Sequence, residues 1–396
     1  MAKILDNVRI VDFTTGHTGS YATMLLADFG AEVIKVENPE TGGDPIRYSY
    51  PKNDKGSAFH AYLNRGKKSI CVDWHTESGR EILLKLIETA DVVVDCFAKG
   101  ELESCGLGYE DAIKVNPDII YASQTGFGKY GPMSTTEGCG LTSEAFGGIM
   151  EVSGFEDSGP TAHGSRIADQ FGGVHTAAGI VCALLVRQKT GEGQVVEVAS
   201  ADSIFTALED CIAEASIQGK VIHREGNGSR AIAPYDVFNV KDGIVATAIS
   251  TNKQWDNFLE AMDLEYLHDD PRFATNESRG EYYYTEEGNP NGLHEILVEK
   301  FKDMTKKECE ELFRPLNIPS GPGMTVEEAY ENDQLAVRDM VLEINDPSIG
   351  PIKMMGVPIK ISGIDDTDIK PAPLLGADTE TILTELGFES EAGGEK

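Results

Sequence analysis

Several signals that would place this chain elsewhere are missing. No stretch of about 18 apolar residues exists, so a membrane span is not expected. The start, Met1–Ala2–Lys3–Ile4–Leu5–Asp6, lacks the apolar core and small-residue cleavage site of a signal peptide. The seven cysteines are odd in number, scattered and without a C-x-x-C pair. That pattern signals neither a zinc or other metal site nor a disulfide framework, and it points to free thiols in a reducing, cytoplasmic setting. Positive charge is scarce: 34 Lys and Arg against 66 Asp and Glu give a formal net charge of −32. Such a chain repels nucleic acid and anionic membrane surfaces. A polyanionic ligand would need a local island of positive charge.

What is present reads as α/β. The chain has 396 residues, enough for a sizeable core and two or more domains. Val8–Phe13 reads as a strand, Tyr21–Phe29 as a helix closed by Gly30, and Ala31–Glu37 as a second strand. Parallel strands joined by a helix imply a doubly wound sheet. Further strands are expected at Ile70–Asp73, Asp91–Asp95, Pro117–Ser123 and Gln194–Val198, with helices at Glu77–Glu88, Leu141–Met150, His175–Arg187 and Asp202–Ile217. Composition shifts near Glu225. A hairpin at Asp236–Ala248 and helical segments at Gln254–Met262 and His294–Leu312 suggest a smaller α+β domain over 225–325, set within a large domain of 1–224 and 326–396. Thr325–Met340 reads as helical. Beyond it Pro358, Pro371 and Pro373 call for an extended tail, frayed from Glu391 to Lys396.

One acid stands out. Asp169 lies in Arg166–Ile167–Ala168–Asp169–Gln170–Phe171–Gly172–Gly173, just ahead of an apolar helical run. Glycines there let a second backbone or a ligand come close. A carboxylate kept dry and hydrogen-bonded in such a place can serve as a nucleophile. The plainer alternative is an Asp N-cap for the helix that follows. Elsewhere, Gly16–His17–Thr18–Gly19–Ser20 is a degenerate glycine loop, and Glu37 ends the second strand where a ribose-binding acid sits in dinucleotide folds. The G-x-G-x-x-G spacing is absent, so a helix N-terminus receiving part of another nucleotide fits better than an NAD site. Asn64–Arg65–Gly66–Lys67–Lys68–Ser69 is the densest basic cluster, and it reads either as a solvated turn or as a phosphate-holding edge.

Several motifs together resemble the family III CoA-transferases (formyl-CoA transferase, carnitine CoA-transferase and relatives). They are Leu26–Glu37, Asn64–Ile70, Gly106–Tyr109, Gly126–Phe127–Gly128 with Gly131–Pro132, Lys189–Gln194 and Ala233–Phe238. The resemblance spans nearly the whole chain. It implies a Rossmann-like large domain, a smaller domain joined by two linkers, and a homodimer of interlocked rings. It also implies Asp169 as catalytic nucleophile, acyl-CoA and a carboxylic acid as substrates, and no tightly bound cofactor, coenzyme A being part of the substrate. By position, His17, Thr18, Val72, Asp73, Trp74, His75, Phe97 and Lys99 resemble the stretches lying against CoA, with Lys67 and Lys68 beside its phosphates. For Val72 and Phe97 the alternative is simple core.

Departures from the family pattern matter as well. Ala98 and Ser104 stand where the family often has arginines, with Lys99 a substitute for one. Gly138–Cys139–Gly140 stands where Gly-Tyr-Asp is common. That loop and His17 are the places to look for acyl selectivity. Two other readings compete. An α-methylacyl-CoA racemase needs an Asp and a His on opposite faces of the substrate carbon. Its histidine falls at Cys139 here, and His163 and His175 are the nearest candidates. A CoA-binding protein without turnover fits the missing arginines but not the retained Asp169.

Overall fold

A computed structural model describes residues 3–229, 232–284 and 292–388. The expected fraying of Glu391–Lys396 lies outside those residues. The chain divides into two compact units, Met1–Met150 with Ala162–Ile222 and Asp333–Lys396, and Glu151–Thr161 with His223–Asn332.

The larger unit is built on a parallel sheet of β1 (Arg9–Asp12), β2 (Glu32–Glu37), β3 (Lys68–Cys71), β4 (Val92–Asp95), β5 (Ile120–Thr125) and β6 (Val195–Ala199). Its strand order is β3-β2-β1-β4-β5-β6. Period-two alternation buries both faces, as an all-parallel sheet requires. Val11, Ile34, Val36, Ile70 and Val93 pack with Leu83, Leu86 and Ile87 of α3 (Glu77–Glu88). Ile10, Val33, Val92, Val94, Ile120 and Ala122 pack on the other face with α1 (Ser20–Asp28) and α5 (Ile167–Thr190). Between them in sequence lie α2 (Ala58–Leu63) and α4 (Gly140–Phe146), and after α5 come α6 (Ser200–Thr206) and α7 (Glu209–Gln218).

α5 starts eight residues before the expected His175, because Ile167–Thr190 is one helix with Gly172 and Gly173 inside it. Glycine lowers helix propensity, and packing against α1 offsets that cost. Among the described residues α5 is also long and apolar enough to cross a membrane. Its buried side, which includes Ala168, Thr176, Ala177, Ile180 and Ala183, belongs to the protein core. Asp202–Ile217 is not one helix, since α6 and α7 break at Ala207–Leu208.

The tail carries a hairpin that proline content concealed: β10 (Val341–Asp346) pairs antiparallel with β11 (Gly350–Met355). Pro351 is tolerated because the sheet has only two strands and both are edges. Thr379–Glu385 then forms a helix against β3, with Ser69 N donating to Asp378 Oδ2 at 2.9 Å.

The smaller unit holds β7 (Tyr235–Val240), β8 (Gly243–Ala248) and β9 (Ser320–Pro322), in antiparallel order. Its aromatic core includes Phe238 stacked on Phe301 at 4.4 Å. The expected helix His294–Leu312 is two, Leu293–Phe301 and Lys306–Phe313. The second begins at a capping box, Thr305 with Glu308. The unit also takes in Glu151–Thr161, tied by Arg224 Nε to the Ser158 carbonyl at 2.7 Å and by Arg224 Nη1 to Glu151 at 3.2 Å.

Asn64, Arg65, Lys67 and Ser69 of the basic cluster are inside the protein. Lys67 Nζ reaches Asp12 Oδ2 (2.9 Å), Thr23 Oγ1 (2.8 Å) and Asn64 Oδ1 (2.9 Å), with its side chain fully buried. Burial pushes the Lys67 ammonium down to about 8, against the pull of Asp12. Arg65 forks onto Asp28 at 3.0 and 2.7 Å and donates to the Met355 carbonyl at 2.5 Å, fixing β11. Lys68 pairs with Glu32 at the amino ends of β3 and β2. The phosphate-edge expectation for Lys67 and Lys68 is therefore corrected. The first ammonium is an internal counter-ion, and the second lies at the opposite end of the sheet from the loop after β1. Glu37 is likewise spent on Arg47 (2.7 and 2.5 Å) and Ser69 (2.6 Å), leaving no ribose-binding acid.

Replacing Lys67 by Ala leaves the Asp12 carboxylate buried without its cation, and is expected to cost about 3–5 kcal/mol of stability. Lys68→Ala breaks an exposed pair and should cost about 1 kcal/mol or less. Chemical denaturation of the two variants checks the contrast, and equal losses would contradict this account of the cluster.

Candidate active site

The site grows from the turn after β1. Asp12 closes the strand and accepts from Thr14 N (2.9 Å), Thr14 Oγ1 (2.6 Å) and Thr23 Oγ1 (2.8 Å). Lys35 ties the same turn by donating to the Thr14 carbonyl at 2.6 Å, and it pairs with Asp44 at 2.8 Å. The braced turn presents Thr18, whose hydroxyl donates to Asp169 Oδ1 at 2.8 Å.

Asp169 is only 3 % exposed. It sits in the first turn of α5, where the helix dipole favours a negative charge. The N-cap alternative is overturned: Arg166 holds that position, and the Asp169 carboxylate accepts from Thr18. The Asp169 carbonyl accepts from Gln124 Nε2 at 3.2 Å, and the Gln124 Oε1 accepts from Thr176 at 3.3 Å. Two glycines make room. A Cβ on Gly173 would stand 2.9 Å from the Tyr21 ring and 3.2 Å from Ala22 N, so α1 and α5 touch there. A Cβ on Gly140 would stand 2.5 Å from Asp169 Oδ2, so the start of α4 lies directly on the carboxylate. Burial raises the Asp169 pKa above the ordinary aspartate value, with Glu144 adding to the rise. Thr18 and the positive charge of Arg166 oppose it.

Asp169 opens into a cavity of roughly 590 Å³ lined by His17, Tyr21, Phe59, Tyr62, Leu141 and Met354, among others. That is the size of a small-molecule site. His17 meets Phe59 edge-on at 4.5 Å, and the Arg166 guanidinium lies 5.4 Å over the same ring. Burial and the nearby Arg166 charge depress His17 to about 4, so its ring is neutral at pH 7. Sequence reasoning named no role for Glu144, Arg166, Gln124 or the β11 residues. Only Arg166 carried a signal, a cation three residues before the acid.

The remaining predicted residues gather at the carboxyl ends of the strands. Trp74 contacts Phe13 (6.4 Å), Phe97 (6.3 Å) and His75 (5.8 Å). Asp73 Oδ1 accepts from Asn38 Nδ2 at 3.0 Å and from His75 N at 3.1 Å. Val72 is core, 6 % exposed, and Phe97 packs partly buried against the same cluster. Lys99 is exposed. Thr15 N donates to Cys96 Sγ at 3.2 Å, joining the loops after β1 and β4, where the strand order reverses. Ligands of open α/β sheets bind at such a crevice.

The chain is similar to known proteins in sequence and fold. The model of CoA-transferase family III matches residues 5–379. The chain belongs to that family. The succinyl-CoA:glutarate CoA-transferase of Mus musculus is 34% identical over 394 residues, spanning 100% of this chain and 89% of that protein. The acetyl-CoA:oxalate CoA-transferase of Acetobacter aceti is 32% identical over 93% of this chain and 92% of its own. The crystal structure of a CAIB/BAIF family protein from Brucella suis has a TM-score of 0.83 at 32% identity, covering 98% and 100% of the two chains. The chain is thus an enzyme of the CoA-transferase type, acting on CoA thioesters.

Within that family frame, the histidine a racemase requires is not supplied at Cys139, the exposed N-cap of α4. His163 Nδ1 is 3.5 Å from Glu144, and His175 Nδ1 is 2.9 Å from the Phe171 carbonyl.

Proposed function

We propose that this CoA-transferase works through a covalent relay on Asp169. The carrying observation is the buried Asp169 carboxylate, held by Thr18 at the wall of a cavity whose surface is mainly, though not wholly, apolar. Asp169 attacks the carbonyl of a donor acyl-CoA, forming a mixed anhydride and releasing CoA thiolate. The thiolate attacks the aspartyl carbonyl, forming an aspartyl-CoA thioester and releasing the donor acid. The acceptor carboxylate attacks that thioester, and the returning thiolate takes the new acyl group and frees Asp169. One activated bond is exchanged for another at each step. Tyr21, Phe59, Tyr62, Leu141 and Met354 keep water from the anhydride.

The reversal of strand order between β1 and β4 supports a Rossmann-like reading of the larger unit. It also supports placing CoA along the edge formed by His17, Thr18, Asp73, Trp74, His75, Phe97 and Lys99, with Val72 contributing backbone alone. The acceptor is a small carboxylic acid. Glutarate and oxalate, named for the relatives, each carry two carboxylates. The seven free cysteines support a reducing, cytoplasmic setting. Exposed apolar side chains, among them Val174, Val181 and Leu185 on α5, support a homodimer in which a second copy covers them. Sedimentation at twice the chain mass is the expected result, and a monomer contradicts it.

Incubation with a panel of acyl-CoAs should give a CoA-sized mass increase that hydroxylamine removes. Asp169→Asn should show no increase and lose about 10³-fold or more in turnover. α-Proton exchange without any adduct would move the protein to racemase chemistry. The relay needs ionised Asp169, so adduct formation rises with pH through a pKa above that of an ordinary aspartate. Thr18→Val removes a hydrogen bond to the charged form and should shift that limb to higher pH. A shift to lower pH, or none, would contradict the role given to Thr18.

A further inference from the structure

The cavity beside Asp169 carries a positive charge that makes no direct ion pair with any described residue. Lys353 pairs with Glu343 at 3.7 Å, and His163 with Glu144 at 3.5 Å. Arg166 alone among the cavity's described cations has no carboxylate or carbonyl within bonding distance, and its guanidinium rests over the face of Phe59. In a chain of net charge −32, whose Arg47, Arg65, Lys35 and Lys67 are committed to internal acids, Arg166 is an exposed guanidinium beside the reacting carboxylate. A second unfilled group adjoins it. His17 Nε2 is buried without a hydrogen-bond partner, and His17 packs on the same Phe59 ring.

We infer that Arg166, with His17 beside it, receives the non-reacting carboxylate of the acceptor acid and makes the enzyme selective for acids carrying two carboxylates. This rests on the relay assigned to Asp169. The geometry divides the work. Arg166 is the N-cap of α5 and Asp169 lies in its first turn, and both line the cavity. One carboxylate of a short di-acid can sit at Asp169 while the other meets the guanidinium. Phe59 holds the guanidinium plane from behind, which limits the freedom lost on binding. His17, neutral at pH 7, adds a hydrogen-bonding atom without a competing charge. An acid with a methyl group in place of the second carboxylate would forgo the pairing with Arg166, whose guanidinium would stay with solvent.

The test offers acceptors in pairs that differ by one carboxylate, succinate with butyrate and glutarate with valerate, against whichever mono-acyl-CoA labels Asp169. The wild-type enzyme should favour the di-acid of each pair by about 10- to 100-fold in kcat/KM. Arg166→Gln should bring that ratio close to one by raising KM for the di-acid, and Arg166→Lys should keep part of the preference. The ratio cancels any general damage to the site, which would lower both acids together. Preference for the mono-acids, or a ratio unchanged in Arg166→Gln, overturns the inference. So does a rise in the acyl-CoA KM with every acceptor, which would place a CoA phosphate on Arg166. The CoA adduct is read separately by intact mass. Loss of the acid ratio with the adduct intact refutes only the role of Arg166, and a normal ratio without an adduct refutes only the nucleophile.

Discussion

The buried pair of Asp12 and Lys67 is the contact on which the site depends. A carboxylate at the end of β1 would be costly inside the protein unless every oxygen were satisfied. Thr14, Thr23 and Lys67 satisfy it, and in doing so they fix the turn that leads to Thr18. Thr18 in turn fixes the reacting acid on a different helix. The order that α5 and α1 need for close packing is thereby passed to the Asp169 carboxylate. Buried ion pairs give little net stability. Here the value of the pair lies in geometry, because a small displacement of a nucleophile costs far more rate than it costs stability.

This explains how an acidic protein uses its few cations. Arg47, Arg65, Lys35 and Lys67 each neutralise an acid near the sheet or on α1. A cluster such as 64–69 invites a reading as a surface for phosphate, because sequence alone does not say which acids will fold beside it. The telling pattern was available but diffuse. Asp12, Asp28, Glu32 and Glu37 mark the ends of strands and of a helix in the first half of the chain, and each calls for a partner. Once those partners are assigned, Arg166 becomes conspicuous for lying beside the reacting acid.

Much of the fold was legible. Short runs rich in Val and Ile at 9–12, 32–37 and 92–95 are what strands buried on both faces require, and the helices between them imply parallel order. Asp169 was legible through its glycines, which open space for α1 on one side of the helix, while Gly140 opens space over the carboxylate. What local pattern hid was tertiary in origin. Packing carries α5 through Gly172–Gly173, where propensity argues for a break. Edge pairing lets Pro351 sit in a strand. The cavity wall contributed by β11 could not be read from the tail, because it depends on Arg65 reaching the Met355 carbonyl across 290 positions.

The central claim, that the Asp169 carboxylate itself passes through the reaction, has a direct isotopic test. The relay moves one oxygen from acceptor acid to Asp169, and then from Asp169 to the acid released from the donor. With an acceptor labelled by heavy oxygen in its carboxylate, the peptide containing Asp169 should gain one heavy atom per turnover. The donor-derived acid should carry it in the next turnover. Label that never reaches Asp169, while acyl-CoA product accumulates, would contradict the account and require direct transfer between the two substrates.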